Sequence, residues 1–512
     1  MDVSAFQQQL QTMLSSGGNA MNGSMGGTMQ EFEALTKALQ ASNHEPDPRN
    51  LNGGGALGVQ SLDTAMKTVI QENEHFVLFN RLAQSNAINI VDEYTRQNSV
   101  GGYLGGTTNT QMGVVRAAQG EYEREVGFVK FLMTLRQVGY VLNIGKNIAE
   151  PVAVEERNGA LQLLTDANYL LYHGNSAASP TQYDGIVKIL EDAVRDGKVA
   201  SENIKDLNGK ALDSVEAFSE VQTSVSSYGS WGNSTDVFLP FSVQNDLNMG
   251  LDPAFRWTPQ GQNTPVIGGH VEGIRLTKGI LKTNMDTFIH DETNPMTKVF
   301  QLANVKIASD NGTFKPKGVT AAAVKNSAAR FEGTRSGNYF YAVAAVTPNG
   351  AGMTEAAVLT AAIKPGAGEG IALTIQGSGA GELGYAIYRS RQGGTNDLAD
   401  MRLVKIISVD DKDVTKAGTT AAPTYTWNDL NRDIPGTVTV PVLNMTAGAD
   451  AIGWRQFQPM TKIPLPFGVG GMPVMSWFQF LFGYLRVTKP KHHGLIKNIL
   501  PKNATWRPHD GE

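Results

Sequence analysis

The sequence predicts an α+β protein with a β-sandwich inserted into it and a flexible arm in front, and three observations carry that reading. One stretch, Val154 to Asn175, repeats apolar residues at helical spacing. Around it, short runs alternate apolar and polar residues as half-buried strands do. Between Lys315 and Pro435 the composition turns to Ala, Gly and Thr, with β-type runs at regular intervals.

Composition sets the limits. The 512 residues hold about three to four domains' worth of chain, and 41% hydrophobic residues suffice to give each a core. The chain has no cysteine, so a disulfide framework, a thiolate metal site and a cysteine nucleophile are all excluded. A net charge of -5 offers no polycationic surface, so any DNA contact is expected to be weak or enclosing. The opening residues, MDVSAFQQQLQTMLSSGGNAM, lack the basic and continuous apolar regions of a secretory signal, and the protein is expected to be made and used inside a cell. The stretch PVMSWFQFLFGYL (Pro473 to Leu485) is too short to cross a bilayer as a helix and is broken by Gly483; it reads as buried core.

Taken in order, residues 1–60 are rich in Gln, Ser, Gly, Met and Asn and read as an arm with one short helix at Phe32 to Gln40. From Ser61 to Ala83, Leu62, Met66, Val69, Ile70, Phe76 and Leu78 keep mostly helical spacing behind a Ser61 N-cap. AINIVDEYTRQNSV then alternates, gives way to loop chemistry from Gly101 to Gly113, and is answered by a second run from Val114 to Asn143; together they predict a long hairpin. Its charges (Glu121, Glu123, Arg124, Glu125) and scarce apolar residues near the tip leave it nothing to bury against its own chain, so it is expected to lie on a neighbour. Leu161, Leu164, Ala167 and Leu171 mark the long helix, which His173-Gly174 should stop. A helix over Leu212 to Val225 follows, then a loop, strand and short helix across Tyr228 to Leu247.

Inside the insertion, the predicted strands are GNYFYAVAAVT, GIALTIQG, LGYAIYRS, RLVKIISV and PTYTWNDL, with Tyr339, Tyr341, Tyr385, Tyr388 and Trp427 as the expected core of an independent module joined to its host at one pair of connections. TVTVPVLNM resumes the host, and FLFGYLRVTKPKHHGLIKNIL closes it.

These residues resemble the major capsid family of tailed bacteriophages with the Hong Kong-phage-type shell fold, particularly its short-tailed, elongated-head branch. The resemblance is carried by AINIVDEYTRQNSVGG, EREVGFVKFLMTLRQVGYVLN, LQLLTDANYLLYHGNSAASPTQYDGI and LFGYLRVTKPKHHGLIKNI, in family order. It implies an N-terminal arm (1–60), an arm helix (61–85), an extended loop (86–143) and a peripheral domain with a spine helix (144–235). An axial domain in two parts (236–314 and 436–475) would flank the inserted sandwich (315–435), and 476–512 would close the peripheral domain. The insertion itself resembles immunoglobulin-like or fibronectin-type modules through NYFYAVAAVTPNGAG and YAIYRSRQGG, which look like paired strands.

Chemical motifs point away from catalysis. GAGELG (Gly379 to Gly384) satisfies G-x-G-x-x-G, but a strand follows it, and without a helix N-terminus no row of amides faces a pyrophosphate; turn glycines are the better reading. His492 and His493 stand in an apparently extended segment, where neighbouring side chains face opposite ways and share a metal poorly. His44, His75, His173, His270, His290 and His509 fall in no metal-binding frame. EYERE (Glu121 to Glu125) places its acids on one exposed strand face, and a solvated or salt-bridging role suffices. Arg486, Lys489, Lys491, Lys497, Lys502 and Arg507 make a basic end suited either to phosphate or to a neighbour's acidic hairpin. No catalytic, cofactor-binding or metal-binding residue is therefore assigned, and no cofactor.

The resemblance implies a non-enzymatic shell subunit that forms hexamers and pentamers of an icosahedral or prolate head in the virion, assembled in the bacterial cytoplasm. Its implied partners are further copies, the portal, scaffolding or decoration proteins and enclosed double-stranded DNA, with no membrane. The rival readings are a phage tail or surface adhesin, which would show tandem modules or a heptad stem, and a hydrolase, which would show a nucleophile or metal set.

Overall fold

The computed structural model describes residues 75–145, 150–250, 271–289, 313–346, 353–354, 356–419, 422–446, 451–468 and 471–509. The expected arm over 1–60, most of the arm helix over 61–85, and His44, His270 and His290 lie outside the described residues. In chain order the elements begin with α1 (Val77–Arg81), β1 (Ala83–Asn86), β2 (Val91–Ser99), β3 (Glu121–Phe128), β4 (Lys130–Gly139), α2 (Tyr140–Ile144) and α3 (Pro151–His173). There follow α4 (Ile186–Arg195), β5 (Ile204–Asp206), α5 (Glu216–Ser226), β6 (Asp236–Leu239), α6 (Phe241–Gly250), β7 (Gly273–Leu276) and β8 (Gly279–Met285). The sandwich strands are β9 (Gly318–Lys325), β10 (Tyr341–Val346), β11 (Ala357–Val358), β12 (Glu369–Gln376), β13 (Gly384–Ser390), β14 (Met401–Ser408), β15 (Val414–Thr419) and β16 (Ala422–Asp429). The chain then adds β17 (Val438–Leu443), β18 (Ile452–Pro464), β19 (Val474–Val487) and β20 (Gly494–Ile499).

The long helix α3 starts at Pro151, whose missing N–H costs nothing in a first turn. It buries Leu163, Ala167, Leu170 and Leu171 and stops at His173. Gly174 ends it through close approach, not through left-handed backbone: its φ is -58°, and a Cβ there would stand 2.1 Å from the Tyr183 carbonyl oxygen. Gly159, a residue that weakens a helix interior by about 1 kcal/mol, lets the helix press on a strand, because a Cβ would stand 1.8 Å from Gln479 Oε1.

That strand belongs to a four-stranded sheet of order β1-β18-β19-β4, whose one face α3 covers. The predicted hairpin over 86–143 is therefore divided. Only β2 and β3 pair as a two-stranded ribbon, while β4 pairs with β19 from Val474↔Gly139 to Gly483↔Lys130. The physical reason is burial: β4 carries Leu132 and Val138 on its α3 side, whereas β2 and β3 offer no comparable apolar face.

A second sheet runs β5-β20-β17-β6-β8-β7, with α5 packed on β20. Strand pairing thus cuts the chain differently from the expected division. β18 lies within 436–475 but joins the α3 sheet, and β20 lies within 476–512 but joins the six-stranded sheet. Near the ends of β18 and β19, Thr488 N–H donates to Ala451 O at 2.9 Å. One continuous core spans both sheets and α3.

Residues 318–429 form two four-stranded sheets, β11-β10-β13-β14 and β15-β16-β12-β9, facing each other across Tyr339, Tyr341, Tyr385, Ile371, Leu373 and Trp427. Tyr388, expected in that core, lies in a smaller apolar cluster with Ala342, Ala386 and Met401. β10 and β13 pair antiparallel as expected. The connectivity is not that of an immunoglobulin domain in chain order, because β9 pairs with β12 and not with the strand that follows it.

Candidate assembly interface

The β2–β3 ribbon is rooted firmly. Arg455 of β18 donates to both Asp92 carboxylate oxygens at 2.8 Å, and the Tyr484 hydroxyl donates to Asp92 at 2.6 Å. Burial opposes ionisation there, yet the bonds from Arg455 and Tyr484 hold the Asp92 carboxyl below the ordinary carboxylate range. Gly127 of β3 lies against the Tyr484 ring, where a Cβ would stand 2.2 Å from the hydroxyl oxygen. Midway along the ribbon, Arg96 bonds Glu123 (2.6 Å) and Glu125 (2.8 Å), and Lys198 bonds the same two acids at 2.9 and 3.0 Å. Hydrogen bonds from Asn98, Lys198 and Arg96 pull the Glu123 carboxyl down to about 2. Two of the acids of EYERE are thus satisfied within the chain, one of the roles weighed from sequence, while Glu121 stays exposed.

Beyond the charged middle, the turn of the ribbon is apolar and exposed: Leu104 is 85%, Met112 98% and Val114 91% accessible. A second apolar surface lies on the four-stranded sheet, on the side away from α3. Registered rows place Leu135 beside Phe478, Met133 beside Phe480 and Phe131 beside Phe482, with Ile463 of β18 opposite Phe478. The Phe131 and Phe482 rings meet edge to face at 5.0 Å, and Phe480 lies 5.4 Å from Phe482. Met133 is 60% exposed. The segment read from sequence as buried core is therefore a two-faced strand: Trp477, Gln479 and Leu481 turn inward, and the phenylalanines between them are only part-buried. Its Gly483 makes room for the Trp454 ring, which a Cβ would approach to 2.5 Å. Exposed contiguous apolar surface of this kind marks a contact for another molecule.

The predicted chemical motifs are placed as follows. GAGELG forms the turn between β12 and β13, and the Glu382 carboxylate fills it, accepting from Ser378 N–H (2.7 Å), Ser378 Oγ (2.8 Å) and Tyr385 Oη (2.8 Å). A carboxylate already occupies the amides that a phosphate would need. His492 ends a short 3-10 turn instead of an extended segment, so both rings reach Asn444: its backbone N–H donates to His493 Nδ1 at 3.1 Å, and its side chain meets His492 Nδ1 at 3.3 Å. Burial lowers the His493 imidazole to about 4. Among the described residues no group of three or more His, Asp or Glu is placed to hold a metal ion. The basic end disperses: Arg486 stacks on Tyr94, Lys502 pairs with Asp213, and Lys497 pairs with Glu191 and Asp433.

One cluster escaped sequence reading. Lys497 of β20 bonds Glu191 of α4 and Asp433 at 2.6 Å each, and Lys405 of β14 approaches the same two acids at 3.7 and 3.4 Å. Burial opposes the Lys497 charge, but Asp433 and Glu191 hold its ammonium well above the ordinary lysine range. The four charges join the sandwich to its host from positions 191, 405, 433 and 497, too far apart in sequence for any spacing rule to link. Beside them a cleft of roughly 520 Å³ opens, lined by Tyr169, Lys188, Arg195, Lys405 and Asp411.

No protein family and no curated protein matches the chain. Solved structures do resemble it at low identity. The capsid of a native GTA particle is similar over 89% of this chain and 99% of its own, at 8% identity and a TM-score of 0.44. A chain of Microbacterium phage Oxtober96 is similar over 88% and 99%, at 8% identity and a TM-score of 0.41. A chain of the holo-SrpI encapsulin complex from Synechococcus elongatus PCC 7942 is similar over 86% and 93%, at 8% identity and a TM-score of 0.35.

Proposed function

We propose that the protein is the major capsid protein of a tailed bacteriophage, a structural subunit whose copies form hexamers and pentamers of a closed head around double-stranded DNA. The observation that carries this reading is the pairing of two unsatisfied apolar surfaces on one molecule, the turn of the β2–β3 ribbon and the open face around Met133 and Phe480. A ribbon from one copy laid on the sheet of the next is a head-to-tail contact, which closes into rings and, repeated, into a shell. Each contact is weak, and the closed assembly is stabilised by their number. The order of the four capsid-like sequence segments supports the same reading. Portal, scaffolding and decoration proteins are its natural partners, DNA is enclosed without sequence-specific binding, and the work is done in the virion after assembly in the host cytoplasm. The role needs no catalysis.

The test is the variant Met133→Asp with Phe480→Asp. Both positions are on the open face, so subunits should keep the parent's circular dichroism and unfolding midpoint while sedimentation shows small species only. Parent-like shells from the variant would remove the proposed contact.

A further inference from the structure

Segment 500–509, which follows β20, bridges two parts of the fold. Its first residues are held by the six-stranded sheet's surroundings: Leu500 N–H donates to Lys210 O at 3.2 Å, Lys502 N–H to Asp246 Oδ2 at 2.7 Å, and Lys502 Nζ to Asp213 Oδ2 at 2.8 Å. Its last residues are held by the sandwich. Trp506 Nε1 donates to Asp400 O at 2.9 Å, and the Arg402 guanidinium lies 5.1 Å from the Trp506 ring centroid. Gln392 N–H donates to Pro508 O at 2.9 Å, and His509 Nδ1 meets the Tyr339 hydroxyl at 3.2 Å. His509 is 1% and Trp506 7% exposed, while residues 502, 503 and 505 between the two anchorages are exposed. Gly436, at φ 74°, admits the indole where a Cβ would stand 2.4 Å from it.

We propose that segment 500–509 is a strap that fixes the angle at which the sandwich stands on the rest of the subunit. The part-buried group of Glu191, Lys405, Asp433 and Lys497 sits where the sandwich chain rejoins its host, and a joint at one place leaves a body free to rock about it. The strap grips a separate part of the sandwich, at Tyr339, Gln392 and Asp400, and two separated grips remove that freedom. Across the cleft, Lys412 pairs with Asp196 at 2.7 Å between part-exposed charges, which hold orientation weakly, and Asn175 Nδ2 donates to Ile406 O at 3.3 Å and Ser408 Oγ to Ala177 O at 3.1 Å, contacts the strap must also outweigh. Arg330 and Arg335 also reach across, to Asp206 and Asn208, and are the contacts the strap must be shown to outweigh. This inference goes beyond the capsid reading and does not depend on it.

The chain's lack of cysteine makes the test direct. Spin labels on cysteines placed at Glu202, in the host, and Ala417, on β15, report their separation by pulsed electron resonance in the full chain. Trp506→Ala with His509→Ala should roughly double the width of a distance distribution that is narrow in the parent. A triglycine insertion between Asn503 and Ala504 keeps every contact residue but slackens the strap, and should widen the distribution too. If both variants fold and keep the parent's narrow distribution, the cleft contacts and the two arginines fix the sandwich, and the strap does not.

Discussion

Arg389 and Asp429 show what a single residue must satisfy in this fold. The pair is fully buried in the sandwich, joined at 2.7 Å; Asn431 accepts a second guanidinium bond at 2.7 Å, and the Phe331 and Tyr339 rings lie 5.2 Å from the guanidinium carbon. Removing one member strands the other charge, so Asp429→Ala should cost about 3–5 kcal/mol of sandwich stability, read as an earlier transition in denaturant unfolding. His493 makes a pH prediction. Its ordinary value of 6.5 falls to about 4 on folding, because burial disfavours the cation. The fold thus prefers the neutral ring, and the stability this contributes is present above pH 6.5 and drains away as pH falls towards 4. Between pH 7 and pH 5 the parent should lose about 2 kcal/mol more than His493→Gln; equal losses would show that other groups govern the acid response. At this scale the sequence did not show that Asn444 serves both His492 and His493, because that depends on a 3-10 turn at Pro490–His492.

Elements were legible where local pattern and burial agree. The spine helix, the strands β10, β12, β13, β14 and β16, and the strand-then-helix of β6 and α6 were all visible in periodicity. β9 and β15 were missed because GVTAAAVK and VTKAGT carry no aromatic, Leu or Ile side chain, and their strand state comes from pairing with β12 and β16. The hairpin was overextended because β4 alternates as a ribbon strand would, and only the long-range partner β19 distinguishes the two. The ribbon's charges now refine an expectation about it. Glu123→Lys with Glu125→Lys faces Arg96 and Lys198 of the same chain, so it should unseat the ribbon's middle while changing subunit stability by about 1 kcal/mol or less, the range of part-exposed pairs. Shell formation should suffer far more, checked by sedimentation beside thermal unfolding; a variant that unfolds outright would make the ribbon part of the core.

At the scale of the whole molecule, composition revealed the inserted sandwich but not its attachments. The expected independent module proves to share a part-buried charge group with α4 and β20, and residues 506–509 pack on it. Both attachments join residues far apart in sequence, which no local pattern reports. Replacing 315–435 by a Gly/Ser linker would therefore expose Trp506 and His509 and remove two of the four charges. The shortened subunit should be soluble but less stable by roughly 1–3 kcal/mol, seen as a lower calorimetric midpoint; an unchanged midpoint would mean the sandwich is attached at its ends alone. The candidate interface, likewise, was half legible: sequence raised the expectation of an exposed hairpin lying on a neighbour, while the open apolar sheet appeared only when β4, β18 and β19 were placed side by side.

The central claim, that these two surfaces exist to join copies into a shell, is tested most directly by micrographs and sedimentation of the purified full-length protein over a range of salt and concentration. Hexamers, pentamers or closed shells of uniform curvature are the expected result, and a protein that remains a stable monomer under every assembly condition would overturn the capsid assignment.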